Sequence, residues 1–382
     1  MRVFLDNAAT TPLDPEVAET MLTAMRDLPG NPSSIHMEGR TARSAIEQAR
    51  KTVAAAIGAS IGEIFFTSGG TESNNMALKC AVRDLGVTRI ISEKLEHHAV
   101  LHTLHYLEKQ HGIVVEWIDI DEQGRLNLAH LEKLLTEDGQ KTLVSVMHSN
   151  NEIGTLNNIE RISEICDRYG AYFHTDTVQT VGYFPLDVSK TKISFCLGSA
   201  HKFYGPKGAG FIYINNDNIV KPLLEGGAQE RNMRGGTENI YGIVGLGKAL
   251  EKSVAEMAER RAKIEHLRSY LKEHLQKKFK DIRFNGDHDG SYHYKVLSVS
   301  FPPSAKSDLL LFNLDIAGIA ASGGSACSSG IDVGSHVLAG INEPDDRTTI
   351  RFSFSHHNTI EELDFLLAKL GGIAERKEVV SA

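Results

Sequence analysis

A lysine that is to act as an amine nucleophile needs a fixed position and surroundings that let it shed a proton. Lys202 stands in such a setting. Ser199-Ala200-His201-Lys202 runs into Gly205-Pro206-Lys207-Gly208, a glycine-rich turn between the apolar runs 193–196 and 211–214. The turn sets a hydroxyl and an imidazole beside the amine and suits condensation with an aldehyde; taken alone, Lys202 is equally a solvated surface lysine. Cys327 is the second nucleophile, in Ala321-Ser322-Gly323-Gly324-Ser325-Ala326-Cys327-Ser328-Ser329-Gly330. A lone cysteine most often packs as a small hydrophobe, but a polar, glycine-flanked stretch is a poor place for that, and a thiolate exposed there is a competent nucleophile.

Other stretches offer binding chemistry. Thr67-Ser68-Gly69-Gly70-Thr71-Glu72-Ser73 joins an apolar run to a helical pattern, so its free N–H groups and the positive helix end suit a phosphate, although such a turn is also a plain connection. Asp176 follows the apolar pair Tyr172-Phe173 and stands at a strand end, where it would serve a protonated nitrogen or cap the next helix. Asn150-Asn151 before Gly154 is a second strand-to-loop join, open to turn chemistry. His98, His102 and His105 share a helical face that invites a metal-ligand reading, but no H-E-x-x-H pattern or acidic fourth partner accompanies them. Residues 225–237, with Arg231, Arg234 and Thr237, form a polar loop that reads as a domain connector.

Elements must hold these residues. Strands are expected at 64–67, 89–92, 113–118, 143–147, 172–175 and 193–196, with helical patterns between most of them. That alternation specifies an α/β fold with a mostly parallel sheet covered on both faces. Ile243, Leu246, Leu250, Val254, Met257, Ile264, Leu267 and Leu271 recur at helical spacing and predict one long amphipathic helix. Strands at 296–301 and 349–354 with helices near 308–315 and 359–370 predict a smaller α+β unit, and the tail from Gly371 is expected to fray. The length of 382 residues suits two domains: 14–259, and 1–13 with 260–382. A net charge of -8 gives no footprint for nucleic acid, and no apolar run has the length of a membrane span. Cys80, Cys166, Cys196 and Cys327 make no C-x-x-C pair, which fits a reducing, cytoplasmic setting.

The motifs in this order, from Leu5 to about Phe354, resemble those of the cysteine desulfurases, within the class V aminotransferases. That resemblance implies a fold-type I enzyme that binds pyridoxal 5'-phosphate (PLP) through Lys202. It implies Gly70 and Thr71 on the phosphate, Asp176 on the pyridine nitrogen and Gln179 on the phenolic oxygen. Ser199, His201 and Asn151 line the cofactor site, and Asn151 reaches the substrate as well. His97, in Glu96-His97-His98-Ala99, lies on the ring and moves protons. Thr237 implies a homodimer with shared sites, and Arg351 a bidentate clamp on the substrate carboxylate. Cys327 would take sulfur from L-cysteine as a persulfide, leave alanine, and pass the sulfur to an acceptor protein such as an iron–sulfur scaffold. Ser355-His356-His357-Asn358 and Ala228 depart from the family pattern. The rival readings are another PLP lyase or aminotransferase of this fold, such as a selenocysteine lyase, and a non-catalytic scaffold or metal-binding protein built on the His98 face.

Overall fold

The structure of the chain, a computed structural model, describes residues 1–136, 139–303, 309–323 and 334–374. It opens with β1 (Val3–Phe4), α1 (Pro15–Asp27) and α2 (Met37–Ile57). Asp14 caps α1 by accepting from the Glu16 amide at 2.8 Å, with Pro15 preset for the first turn. There follow β2 (Ile64–Thr67), α3 (Gly70–Leu85), β3 (Arg89–Ser92), α4 (His98–His111), β4 (Val114–Trp117), α5 (Leu128–Thr136), β5 (Thr142–Ser145), α6 (Ile159–Arg168), β6 (Tyr172–Asp176), β7 (Phe195–Ser199) and β8 (Gly210–Ile214). Strands β2 to β8 form one seven-stranded sheet in the order β2-β8-β7-β6-β5-β3-β4. Only β8 runs against its neighbours β7 and β2; the other pairs are parallel. Every residue of β2, β3, β5, β7 and β8 is buried, as expected of a sheet covered on both faces.

The carboxyl ends of β2, β3, β5, β6 and β7 therefore open on one edge of the sheet. Ligands gather at that edge in sheets of this type, because loops and helix N-termini meet there.

After the single turn α7 (Gln229–Asn232), the chain forms α8 (Ile240–Ala255) and α9 (Met257–Lys278). The long helix expected from the spacing is thus two helices meeting at Glu256, whose φ of -99° and ψ of 7° leave the helical range. The apolar stripe continues through the break but serves two partners: α8 packs on α1 and α2, while α9 packs on the second sheet's β10 (Val296–Phe301) and on α12 (Ile360–Ala374). That sheet has the antiparallel order β12-β10-β9, with β9 at Arg283–Asn285 and β12 at Thr348–Ser353. Also present are α10 (Leu310–Ile316), β11 (Ile319–Ala320), which pairs in parallel with β1, and α11 (His336–Gly340). Helix α12 carries on past Gly371 to Ala374. The His356-His357 pair lies edge-on to the buried Tyr204, with ring centroids at 4.6 and 5.8 Å, so the departing segment 355–358 is spent on packing. Among the described residues no helix is long and apolar enough to cross a membrane.

Candidate active site

The turn between β2 and α3 is shaped by what it excludes. Gly69 has a φ of 148°, and a Cβ on Gly210, in the next strand, would lie 2.6 Å from the Gly69 Cα. A side chain fits at neither place, so two backbones approach closely and the first amides of α3 stay uncovered. A Cβ on Gly70 would also meet the Val178 side chain at 2.8 Å. Ser199 faces the turn from the end of β7, since its Oγ would lie 3.5 Å from a Cβ on Gly69.

A cavity of about 350 Å³ opens beside this turn. Gly70, Thr71, His97, Asn151, Asp176, Gln179, Ser199, His201, Lys202 and Arg351 all line it, contributed by the ends of most strands in the sheet and by β12. The residues singled out from sequence are therefore brought together, apart from Thr237 and Cys327. Thr237 lines a separate cavity of about 190 Å³ with Ser68, Gly208 and Arg234. Cys327 lies outside the described residues.

Lys202 ends a one-turn 3-10 helix, Ala200–Lys202, between β7 and β8. Its backbone carbonyl accepts from the Tyr183 hydroxyl at 2.9 Å, and its Nζ donates to the carbonyls of Ala8 and Ala9 at 2.7 and 2.8 Å. The Gln179 amide also donates to Ala8 O, at 3.1 Å. Asp176 ends β6 and is buried; its carboxylate accepts from the Val178 amide at 2.9 Å and from Asn74 Nδ2 at 2.7 Å. Asn74 was not singled out from sequence. Its one signal is the spacing: four residues after Gly70, it lies on the same face of α3 as the turn.

His97 caps α4 by accepting the Ala99 amide on Nδ1 at 3.0 Å, so the neutral ring carries its proton on Nε2. Burial pushes the His97 imidazole below its ordinary value, although the nearby Asp176 pulls the other way. His201 is driven down to about 3 by burial and then by the adjacent Lys202 and Lys207 charges. Both rings are thus neutral at physiological pH. Behind His97, burial raises Glu93 to about 7 and, with the charges of Glu93 and Asp176, lifts Glu96 well above the usual carboxylate range.

These residues fit pyridoxal phosphate. The bared α3 amides make a phosphate cradle, Asp176 is a buried, hydrogen-bonded carboxylate, and Lys202 supplies an amine within the same cavity. Among the described residues, buried oxygens on Gln179, Asn74 and Ser149 have no hydrogen-bond partner, so the walls hold polar capacity that a polar ligand would use. The histidine face of α4 is arranged differently. His98 lies with its ring tilted against those of His102 and His336, centroids at 5.0 and 4.6 Å, whereas His105 is exposed beside Glu108. Among the described residues no group of three His, Cys, Asp or Glu side chains is placed to hold a metal ion. Cys80, Cys166 and Cys196 are free and buried, and burial raises all three thiols, Cys80 to about 11, which leaves them poor nucleophiles.

Comparison with known proteins follows the same lines. The family model for aminotransferase class V matches residues 3–366. The cysteine desulfurase IscS of Dictyoglomus turgidum is 44% identical, with the match covering 99% of this chain and 96% of that protein. The putative cysteine desulfurase IscS 1 of Bacillus subtilis is 42% identical over 98% of this chain and 99% of its own length. Among solved structures, a NifS-like protein superposes with a TM-score of 0.90 at 37% identity, covering 98% of this chain and 99% of the other. A structure described as SspA in complex with cysteine gives a TM-score of 0.81 at 30% identity, covering 94% of this chain and all of the other.

Proposed function

The chain belongs to the class V aminotransferase family and is a PLP-dependent cysteine desulfurase, and on that premise we propose how its own residues divide the work. The observation that carries the assignment is the convergence of Lys202, Asp176, the Gly70-Thr71 turn and Arg351 on one cavity. PLP supplies an aldehyde and an electron sink. Gly70 and Thr71 hold its phosphate through backbone amides, and Asp176, kept in place by Asn74 and the Val178 amide, keeps its ring nitrogen protonated. With PLP bound, Gln179 would donate to its phenolic oxygen, Ser199 and His201 would close the near wall, and His97 would lie over its ring.

Arg351 takes the carboxylate of L-cysteine, Asn151 orients the substrate, and Lys202 removes the proton from its Cα. The thiolate of Cys327 attacks the substrate sulfur; the C–S bond breaks, an S–S bond forms, and a proton goes to the substrate carbon, with His97 available to carry it. The balance is L-cysteine plus a protein thiol giving L-alanine plus a protein persulfide, so no outside oxidant or reductant enters. Thr237 lies away from the chain's own cavity, which supports a homodimer in which it serves the partner's phosphate. The persulfide passes to a thiol-bearing acceptor protein, an iron–sulfur scaffold being the class we favour, in a reducing cytoplasm.

The test is Cys327→Ala in the holoenzyme. The variant keeps the visible absorbance of the lysine-bound cofactor and loses alanine production from L-cysteine. Alanine release at the wild-type rate would remove Cys327 from the mechanism, and keto acid in place of alanine would favour a transaminase.

A further inference from the structure

Arg351 is buried to 2% exposure of its side chain, and a guanidinium so placed needs a counter-ion. It finds one at the other end of the chain. Nη2 donates to Asp6 Oδ1 at 2.8 Å, and Nη1 donates to the Asn151 carbonyl at 2.9 Å, while the buried Nε has no partner. Asp6 is itself fixed: its Oδ1 accepts from Ser322 Oγ at 2.8 Å, and its backbone bridges to Ser353 on β12. Ser322 in turn exchanges backbone hydrogen bonds with Arg351. Arg351 lines the substrate cavity but Asp6 does not, so the carboxylate of Asp6 grips the guanidinium from behind.

We propose that Asp6 is a positioning residue for Arg351: it holds the guanidinium in place and, by sharing its charge, sets how tightly a substrate carboxylate is bound. This rests on the reading of Arg351 as the carboxylate clamp. The guanidinium has five N–H groups, of which the hydrogen bonds to Asp6 and Asn151 engage two, so an incoming carboxylate finds donors left over. It does not find an undivided charge. A clamp already half neutralised binds its product weakly enough to release it, at some loss of hold on the substrate. Asn at position 6 retains an oxygen for Nη2 and Ser322 but removes the competing charge.

The holoenzyme is titrated with L-alanine and with ethylamine, which is alanine without its carboxylate, following the cofactor absorbance. Asp6→Asn is expected to bind L-alanine tighter by about threefold or more, with ethylamine changed by less than about twofold. A merely structural role would move both ligands together or weaken both. The role of Asp6 is overturned if L-alanine binds Asp6→Asn no tighter than wild type, or if the two ligands shift alike. Arg351→Lys separates this from the underlying assignment, because lysine keeps charge but loses the fork. A selective loss of L-alanine binding in Arg351→Lys with no change in Asp6→Asn sinks only Asp6. No selective loss in Arg351→Lys sinks the clamp itself, and Asp6 falls with it.

Discussion

The loop that carries Thr237 is held by a fully buried ion pair beside the more exposed Arg231–Glu47 and Arg234–Glu72 pairs, and cutting the buried one gives a test with a magnitude. Arg50 on α2 and Glu230 on α7 have side chains only 2% and 3% exposed, joined by a fork of 2.7 and 2.9 Å. Arg50 also donates to Ile64 O at 2.8 Å and lies 4.7 Å over the Phe66 ring, while Glu230 accepts from the Phe66 amide at 2.7 Å. Arg50→Met strands the Glu230 carboxylate in the interior, which costs about 3–5 kcal/mol. Against this stands the strain of the turn. Glu230, Arg231 and Asn232 have φ values of 45°, 57° and 65°, a left-handed run that costs non-glycine residues about 1–2 kcal/mol each. The anchor and the strain are of the same size, so without Arg50 the turn rests on the weaker, more exposed Arg231–Glu47 and Arg234–Glu72 pairs. Arg50→Met should unfold at lower urea, be cut by protease within residues 226–237, and form alanine about tenfold more slowly through loss of positioning. Arg50→Met/Glu230→Leu should regain stability over the single variant by removing the stranded charge, but not activity, because the turn still lacks its buried anchor. If Arg50→Met unfolds within about 1 kcal/mol of wild type and its loop resists protease as before, the pair is not the anchor.

Two further predictions follow from buried groups. Asn74→Ala removes a hydrogen bond to a carboxylate, about 1.5–3 kcal/mol, and should raise the PLP concentration needed for half-reconstitution about tenfold or more; an unchanged titration would mean that Asp176 needs no support from α3. His148 and Glu93 should give opposite pH slopes to stability. Burial holds the His148 imidazole at about 4 against 6.5, so the unfolded chain takes up its proton first. Its contribution is complete above pH 6.5 and is lost as pH falls toward 4, about 3 kcal/mol in all. Burial raises Glu93 to about 7 from 4.5, so its contribution is complete below pH 4.5 and is lost as pH rises to 7. Unfolding of His148→Gln and Glu93→Gln between pH 4.5 and 7 should show wild type losing ground to the first at low pH and to the second at high pH. Parallel stability curves for wild type and either variant would refute the corresponding assignment.

What the sequence reveals here is what is decided locally. The β2–α3 turn announces itself because Gly69, Gly70 and a following helical pattern lie together, and β6 and β7 because the strand patterns at 172–175 and 193–196 stand just ahead of Asp176 and Ser199. The expected strands recur within two residues at each end, except that the strand expected at 193–196 runs on to Ser199. The reading fails where neighbours distant in sequence decide. The break at Glu256 is invisible to periodicity because the apolar spacing runs on while the partners change from α1 and α2 to β10 and α12. Asn74 is one asparagine in a helix until β6 brings Asp176 against it, 102 residues further on. Asp6 and Arg351 stand 345 residues apart.

The N-terminal stretch shows most clearly what such distance hides. Asp6 holds Arg351, and the carbonyls of Ala8 and Ala9 hold the Lys202 ammonium, all within four consecutive residues. The stretch is itself pinned to β12, since the Ser353 amide donates to Leu5 O at 2.7 Å and the Ala8 amide to Ser353 Oγ at 2.8 Å. An α-amino acid presents its carboxylate and its Cα hydrogen at one carbon, so on the roles proposed above the Arg351 guanidinium and the Lys202 amine must stand a fixed distance apart. Here both are tied to one hydrogen-bonded turn, in which the Ala9 and Thr10 amides donate to Asp6 O at 3.1 and 3.3 Å, rather than to two independent side-chain environments. On those roles, a preference for α-amino acids over simple amines would rest on a segment that, read as sequence, carries no catalytic signature.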